Sequence, residues 1–192
     1  MPLAAIPRTA AEQAATQLET REDATVDLTV RLGERDEVDR LEPAWRDLGI
    51  QHEGLAEMPP TRPADESWER RRRRYLDWLA RDDHLLVVAE DGGQLVGYAV
   101  VSIGGGPATW DLGEVSAELE TLAVREAFRG QGIGKALIEA AEDRAREAGA
   151  AGLFVGVAHS NADAIRFYRR EGFTAFYVSL MKPVGGDHGD AA

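Results

Sequence analysis

The spacing of apolar positions changes several times along the chain, and each change marks an element. TVDLTVRL, residues 25–32, alternates apolar with polar. Val26, Leu28, Val30 and Leu32 then share one face of a half-buried strand, which Gly33 ends. Val38, Leu41, Trp45 and Leu48 recur three and four apart, the spacing of one helix face. Residues 49–63 hold three prolines and two glycines and predict a loop. A second helix follows through Ala80, with Asp65 or Ser67 as its cap. His84–Glu90 and Gln94–Ile103 predict two antiparallel strands around an Asp91-Gly92-Gly93 hairpin.

The second half reads as strand, helix, strand, helix, strand. Glu114–Val124 is a fourth strand, and a helix from about Gly134 to Ala148 stops at Gly149. Leu153–Ala158 is a short apolar strand. Ser160-Asn161 opens a helix that Gly172 closes, and Phe173–Lys182 reads as a last strand. A strand–helix–strand unit over residues 115–158 requires a parallel pair with a right-handed crossover. The order therefore predicts an α/β (α+β) fold, a mixed sheet covered by helices. Residues 1–24 read as a loose N-terminal arm, 25–183 as a single domain and 184–192 as a loose tail.

Composition narrows the function classes. The chain has 192 residues and no apolar run near the ~20 a membrane span needs. Its net charge of -12 argues against nucleic acid and favours a cationic small substrate. There is no cysteine, so disulfides, thiolate catalysis and cysteine-based zinc sites are excluded. MPLAAIPRTAAEQAATQLET lacks the basic start and apolar stretch of a signal peptide. A cytoplasmic protein without metal or membrane contact is expected, and a homodimer stays open.

The candidate ligand site is the run VREAFRGQGIGKAL, residues 124–137. Glycines at 130, 132 and 134 lie between a strand and a helix that carries Lys135 in its first turn. The P-loop pattern fails, because Arg129 stands where its first glycine belongs and Ala136 where its hydroxyl belongs. The dinucleotide fingerprint fails too, since the third glycine is misplaced from either start. The physical context still suits a phosphate: glycines allow close approach, and a helix N-terminus favours an anion.

LETLAVREAFRGQGIGKAL and NADAIRFYRREGF resemble the two signatures of the GNAT superfamily of acyl-CoA-dependent N-acetyltransferases. Arg129, Gly132 and Gly134 fill its R/Q-x-x-G-x-G/A motif, and Asn161, Phe167-Tyr168 and Gly172-Phe173 fill the second. The likeness spans residues 120 to 173; residues 25–103 fit the family's opening topology in pattern alone. It implies a mixed, mostly antiparallel sheet with one splayed parallel pair and about four flanking helices.

The resemblance also implies roles. Backbone groups of Leu122, Ala123 and Val124 would pair with the pantetheine arm of acetyl-CoA. Amides of Arg129, Gly130, Gln131, Gly132, Ile133, Gly134 and Lys135 would cradle its pyrophosphate, and Asn161 would touch it near the splay. Tyr168 would lie by the sulfur and protonate the thiolate, and Glu120 would serve as base. The chemistry is consistent, since an amine of pKa about 10 is mostly protonated at neutral pH and needs a base. Strand alternation alone puts Glu118, Glu120, Leu122 and Val124 on one face and cannot choose between the carboxylates. His159 and water remain as other bases. Arg70 to Arg74 wrap a helix completely and read as a solvated face with carboxylate partners, or as a local anion site.

The expected activity is direct acetyl transfer from acetyl-CoA to a primary amine, on a small cationic molecule, a peptide N-terminus or a lysine. A catalytically weak acyl-CoA-binding regulatory module is the alternative.

Overall fold

The computed structural model describes residues 27–182 and 184. The expected arm, the start of the first strand at Thr25 and Val26, and the tail beyond Val184 lie outside the described residues. The chain divides into two compact units, one ending at Gly156 and one beginning at Val157.

The first unit is built on a five-stranded sheet in the order β1-β2-β3-β4-β5. The strands are β1 Leu28–Gly33, β2 His84–Asp91, β3 Gln94–Gly105, β4 Val115–Val124 and β5 Leu153–Val155. Neighbours from β1 to β4 are antiparallel, and β4 and β5 are parallel. The hairpin between β2 and β3 turns at Gly92 and Gly93 as expected, with Asp91 opposite Gln94. The apolar face of β1 fades at its end, where Leu32 is exposed.

Two helices cover one sheet face: α1 Glu42–Glu53 and α2 Ala64–Trp78. The single helix expected from Val38 to Leu48 is divided. Residues Arg35–Leu41 form a tighter 3₁₀ helix, and α1 begins with Pro43 in its first turn. Proline lacks an N–H and obstructs the preceding turn, so it suits a helix start and not a helix middle. Nor does the loop begin at Gly49. The helix runs on to Glu53, because one glycine costs only about 1 kcal/mol while Trp45 and Leu48 pack against the core. Neither Asp65 nor Ser67 caps α2; Pro63 precedes it without a side-chain cap. Ser67 instead accepts a hydrogen bond from the Trp45 indole at 3.3 Å. The core on this face joins Val38, Leu41, Ala44, Trp68 and Tyr75 to Leu86, Val88, Tyr98, Val100 and Ala123.

The other face carries α3, Ile133–Glu147, whose buried stripe is Ile133, Leu137, Ile138, Ala141 and Ala145. Its seat on the sheet is Gly97. A Cβ there would stand 3.2 Å from both Ile133 Cγ2 and Leu137 Cδ1, and 3.1 Å from the Ala123 carbonyl. The helix ends as the sequence predicts. Gly149 takes a φ of 81°, and the Ala150 N–H donates back to the Ala145 carbonyl at 2.9 Å.

The second unit contains α4, Ala162–Arg170. Asn161 caps it, its Oδ1 accepting from the Ala164 N–H at 3.0 Å. The expected last strand, 173–182, forms no ladder among the described residues. Its apolar side chains Tyr177, Val178, Leu180 and Met181 are exposed. Apolar alternation makes a segment competent to be a strand, but a strand needs a neighbour to satisfy its backbone.

Gly97→Val should lower unfolding stability by about 1–3 kcal/mol, because two methyls enter a contact already closed. Gly105→Ala, at a site with no atom within 4 Å, should change it much less. Urea unfolding of both variants measures the difference; equal midpoints would show that α3 is not seated on Gly97.

Candidate active site

The site begins with a register fault in β4. Val100 lies opposite Thr121 and Val101 opposite Leu119, which leaves Glu120 as an extra residue. Such a bulge turns two successive side chains toward one face and interrupts alternation. The effect here is concrete. Glu120 Oε1 accepts from Ser102 Oγ at 2.9 Å, and the Thr121 hydroxyl accepts from Tyr75 Oη at 2.8 Å. Both side chains therefore lie on the face covered by α1 and α2. Glu118, opposite Ser102, shares that face, and Ala123 joins its core. Leu122 and Val124 lie opposite Ala99 and Gly97, on the α3 side. The expectation that Glu118, Glu120, Leu122 and Val124 share one face is corrected: the bulge separates the two acids from the two apolar residues.

The same fault ends the parallel pairing. β5 meets β4 at Ala117, Glu118 and Leu119, opposite Leu153, Phe154 and Val155. Beyond Leu119 no residue of β4 has a partner in β5. From Glu120 to Val124 the strand thus has no neighbour on its β5 side among the described residues, where the Val124 carbonyl is taken by Arg129 Nε, and the expected strand Leu153–Ala158 shortens to three residues.

Beneath Glu120 lies a buried hydroxyl chain that the sequence did not reveal. Tyr98 Oη and Tyr75 Oη are 3.1 Å apart, Tyr75 donates to Thr121, and Thr121 Oγ1 donates to the Glu120 carbonyl at 2.8 Å. Burial pushes both phenols above their usual pKa, so both stay neutral. The chain fixes the main chain of the bulged residue itself. Ser102 fixes its carboxylate. Glu118 is held above the usual carboxylate pKa, first by partial burial and then by the charge of Glu120.

The glycine loop leaves the other end of β4. A one-turn 3₁₀ helix, Glu126–Phe128, precedes it, and Gly132 immediately precedes α3. Gly130 and Gly132 take φ of 77° and 81°, the left-handed region. A Cβ at either would meet no atom within 4 Å, so the loop backbone is bare and open on that side. Gly134 lies in the first turn of α3, and Ala136 is the first residue whose N–H reaches back, to the Gly132 carbonyl at 3.0 Å. The N–H groups before it point out of the helix end. Arg129 is turned away from the loop. Its Nε donates to the Val124 carbonyl at 3.1 Å and its Nη2 to the Asp47 carbonyl at 3.2 Å. Lys135 is paired with Glu139. Asp47, on α1, accepts from the Glu126 N–H at 2.9 Å and from Arg125 Nε at 3.3 Å. No local pattern marks Asp47; its importance comes from α1 lying beside the loop.

In the second unit the end of α4 explains the spacing of the second signature. Gly172 has a φ of 92°. The Phe173 N–H donates to the Tyr168 carbonyl at 3.0 Å and the Gly172 N–H to the Arg169 carbonyl at 3.2 Å. This is a Schellman stop, completed by the Phe173 ring against the Tyr168 ring, 5.4 Å between centroids. Glycine and the aromatic thus lock Tyr168 in place. Burial pushes its phenol up to about 12, so it carries its proton at neutral pH. His159 is exposed and lies in the second unit.

The arginine run mostly follows the bland expectation. Arg70 pairs with Glu66, Arg72 with Asp39, and Arg73 Nε donates to the Glu69 carbonyl. Arg74 lies over the Trp78 ring and Arg71 over the rings of Trp45 and Tyr75. Among the described residues no cluster of His, Asp or Glu could hold a metal ion, and no helix is long and apolar enough to cross a membrane.

The family model described as the acetyltransferase (GNAT) family matches residues 50–173. The chain is 38 % identical over 92 residues to streptothricin acetyltransferase of Streptomyces lavendulae, covering 48 % of this chain and 45 % of that protein. It spans about half the length of the curated relatives it matches. An aminoglycoside N-acetyltransferase solved in complex with CoA has a TM-score of 0.64 over 83 % of this chain and 95 % of its own, at 17 % identity. A GCN5-related N-acetyltransferase from Ralstonia eutropha JMP134 has a TM-score of 0.63 over 83 % and 99 %, at 22 % identity. At these identities the likeness is one of fold. The family match takes in both signatures and more than half of the chain, and the chain belongs to the acetyltransferase (GNAT) family.

Proposed function

We propose that this protein transfers an acetyl group from acetyl-CoA directly to a primary amine, with residues 25–183 working as one N-acetyltransferase domain. The observation that carries the reading is the pairing of an open β4 edge, from Glu120 to Val124, with a bare left-handed glycine loop at its end. A long molecule with an amide-bearing arm and a pyrophosphate fits that pair. The arm meets the backbone of Leu122, Ala123 and Val124. The pyrophosphate meets the amides of Gly130 to Lys135 and the positive end of α3. Arg129 acts here by shaping the loop through its two carbonyl bonds. Asn161 spends its oxygen on the cap of α4 and offers its amide nitrogen to the ligand.

Acetyl-CoA supplies an activated thioester; the chain supplies proton handling and orientation. Glu120, oriented by Ser102, takes a proton from the acceptor ammonium, directly or through one water. The acceptor nitrogen then has its lone pair for the bond to the acetyl carbon. The backbone at the bulge, unpaired toward β5, offers an N–H to the thioester oxygen, where negative charge develops. Tyr168 gives its phenolic proton, which its high pKa keeps in place beforehand, to the departing sulfur and takes back the second proton that the nitrogen sheds on becoming an amide. Glu118 and Glu120 together make the acceptor mouth acidic and favour a cationic amine. With no cysteine to carry the acetyl group, transfer is direct.

Acetyl-CoA should raise the melting temperature of the protein by binding its folded state, and ATP and NAD should not. Gly132→Val should abolish that rise, because a β-branched residue cannot hold a φ of 81° without strain. Circular dichroism checks that the variant is folded; a full rise in a well-folded variant places the pyrophosphate elsewhere.

Tyr168→Phe should lower kcat by about 10- to 1000-fold with little change in acetyl-CoA affinity, as expected for a proton donated only in the transition state. Glu120→Gln should lose activity at neutral pH and regain part of it at higher pH, where more acceptor is already neutral. Glu118→Gln should be milder. Rates of CoA release against pH measure all three. A Tyr168→Phe enzyme with full kcat makes that residue a packing residue. Tight acetyl-CoA binding with no CoA release for any amine favours the regulatory-module reading.

A further inference from the structure

Arg71 is the one arginine of its run that is half-buried without a carboxylate or carbonyl partner. Its position is set by helix geometry. Trp68, Arg71 and Tyr75 are three and four residues apart and share one stripe of α2. Trp68 and Tyr75 on that stripe are fully buried against the sheet. The Arg71 guanidinium therefore points inward with them. It lies 4.5 Å from the Trp45 ring centre and 5.5 Å from that of Tyr75. Ring faces hold a cation in place and the Tyr75 hydroxyl meets one of its N–H groups, but none of these partners carries a negative charge. Arg70 and Arg72, on either side, are each paired with an acid. Arg74 lies at the exposed surface, where water serves it. A chain with 34 acidic residues against 22 basic ones has no shortage of counterions, and yet among the described residues no carboxylate pairs with Arg71. A half-buried charge without one is costly, and a ligand can remove that cost.

The location says which ligand. The Tyr75 ring that lies beside Arg71 carries the hydroxyl that donates to Thr121, next to Glu120. One tyrosine ring thus separates the guanidinium from the β4 bulge. Glu118 and Glu120 are on the same sheet face, so a pair of acids and a single guanidinium border one region. His52, like Tyr75 and Tyr98 close enough to feel the charge of Arg71, is held below its usual pKa by burial and then by the guanidinium, so it adds no second positive charge at neutral pH. One planar fork with one charge matches a carboxylate; a phosphate dianion calls for more cations.

We propose that Arg71 docks a carboxylate carried by the acceptor, whose ammonium faces Glu120, so that the acceptor is an amino acid or a close amino-carboxylate. This rests on the acetyltransferase reading of the β4 face, and it replaces "cationic amine" by "zwitterion".

Matched probes test it: each of the common L-amino acids beside its methyl ester, which keeps the amine and loses the charge. For the best acid, CoA release should show a KM at least about tenfold below that of the ester, the scale of one charge-assisted contact. Arg71→Gln should raise the KM for the acid by about 10- to 100-fold, leave the ester and acetyl-CoA unchanged and alter kcat little. Arg71→Lys, which keeps the charge and loses the fork, should recover part of the loss and also serves if Arg71→Gln does not fold. Equal use of acid and ester, or equal damage to both, overturns the assignment. Calorimetric titration of the same acids into wild type and variants needs no turnover. If no CoA is released with any probe, the transfer reading fails, while Arg71-dependent heat of binding still upholds the carboxylate site and its absence overturns it.

Discussion

The bulge at Glu120 is the constraint on which the rest of the site depends. One extra residue in β4 has three consequences at once. It turns Glu120 and Thr121 to the same face, so a carboxylate and a hydroxyl stand side by side. It ends the ladder with β5 at Leu119, so the next stretch of backbone is open. It moves Leu122 and Val124 across the sheet toward α3, which keeps the apolar cover continuous under the glycine loop. A regular strand could supply the acid or the open edge but not both at one residue. The bulge is in turn held from below. Tyr98, Tyr75 and Thr121 form a hydroxyl chain that ends on the Glu120 carbonyl, in a core otherwise made of apolar side chains. A buried polar network is stable only when its members satisfy one another, and the two phenol contacts and the threonine bond do so here.

The features legible in the sequence were those with local causes. Asn161 caps a helix, Gly149 and Gly172 stop helices, and Gly130 and Gly132 take left-handed φ; each needs only its own few neighbours. The hairpin at Gly92-Gly93 is local in the same way. That is also why both family signatures could be read: each is a piece of local backbone chemistry, a bare turn into one helix and a locked stop on another. What sequence spacing could not supply depends on pairing between distant segments. The register fault between Val100 and Val101 exists only against β3, so simple alternation placed Leu122 and Val124 on the wrong face. The segment 173–182 has strand-like composition and no ladder, because pairing belongs to two segments and never to one. The division of the first helix could have been read from Pro43, a signal outweighed by the apolar spacing across it.

Charge follows a comparable division. Most of the arginines in this acidic chain are used structurally. Arg31 and Arg40 bridge Glu37 and Glu90, tying the 3₁₀ helix to β1 and β2, and hold Glu37 down at about 2. Arg46 joins Glu42 to Asp65 and so joins α1 to α2. Even Arg129, at the head of the glycine motif, bonds the Val124 and Asp47 carbonyls. Against that background the guanidinium of Arg71 stands apart by its surroundings, not by its type.

Helix α1 connects Arg71 to the glycine loop. Trp45 supports Arg71 with its ring, and Asp47, two residues on, holds Arg125 and the Glu126 amide at the entrance to the glycine loop. Residues two apart on a helix point in nearly opposite directions. One rigid segment therefore reaches Arg71 through Trp45 and the glycine loop through Asp47. Both contacts fall on the same turn, so they move together if α1 moves at all. The distance between the place where an amine would be held and the place where a pyrophosphate would be held is then set by a helix and a bulged strand, the two stiffest parts available.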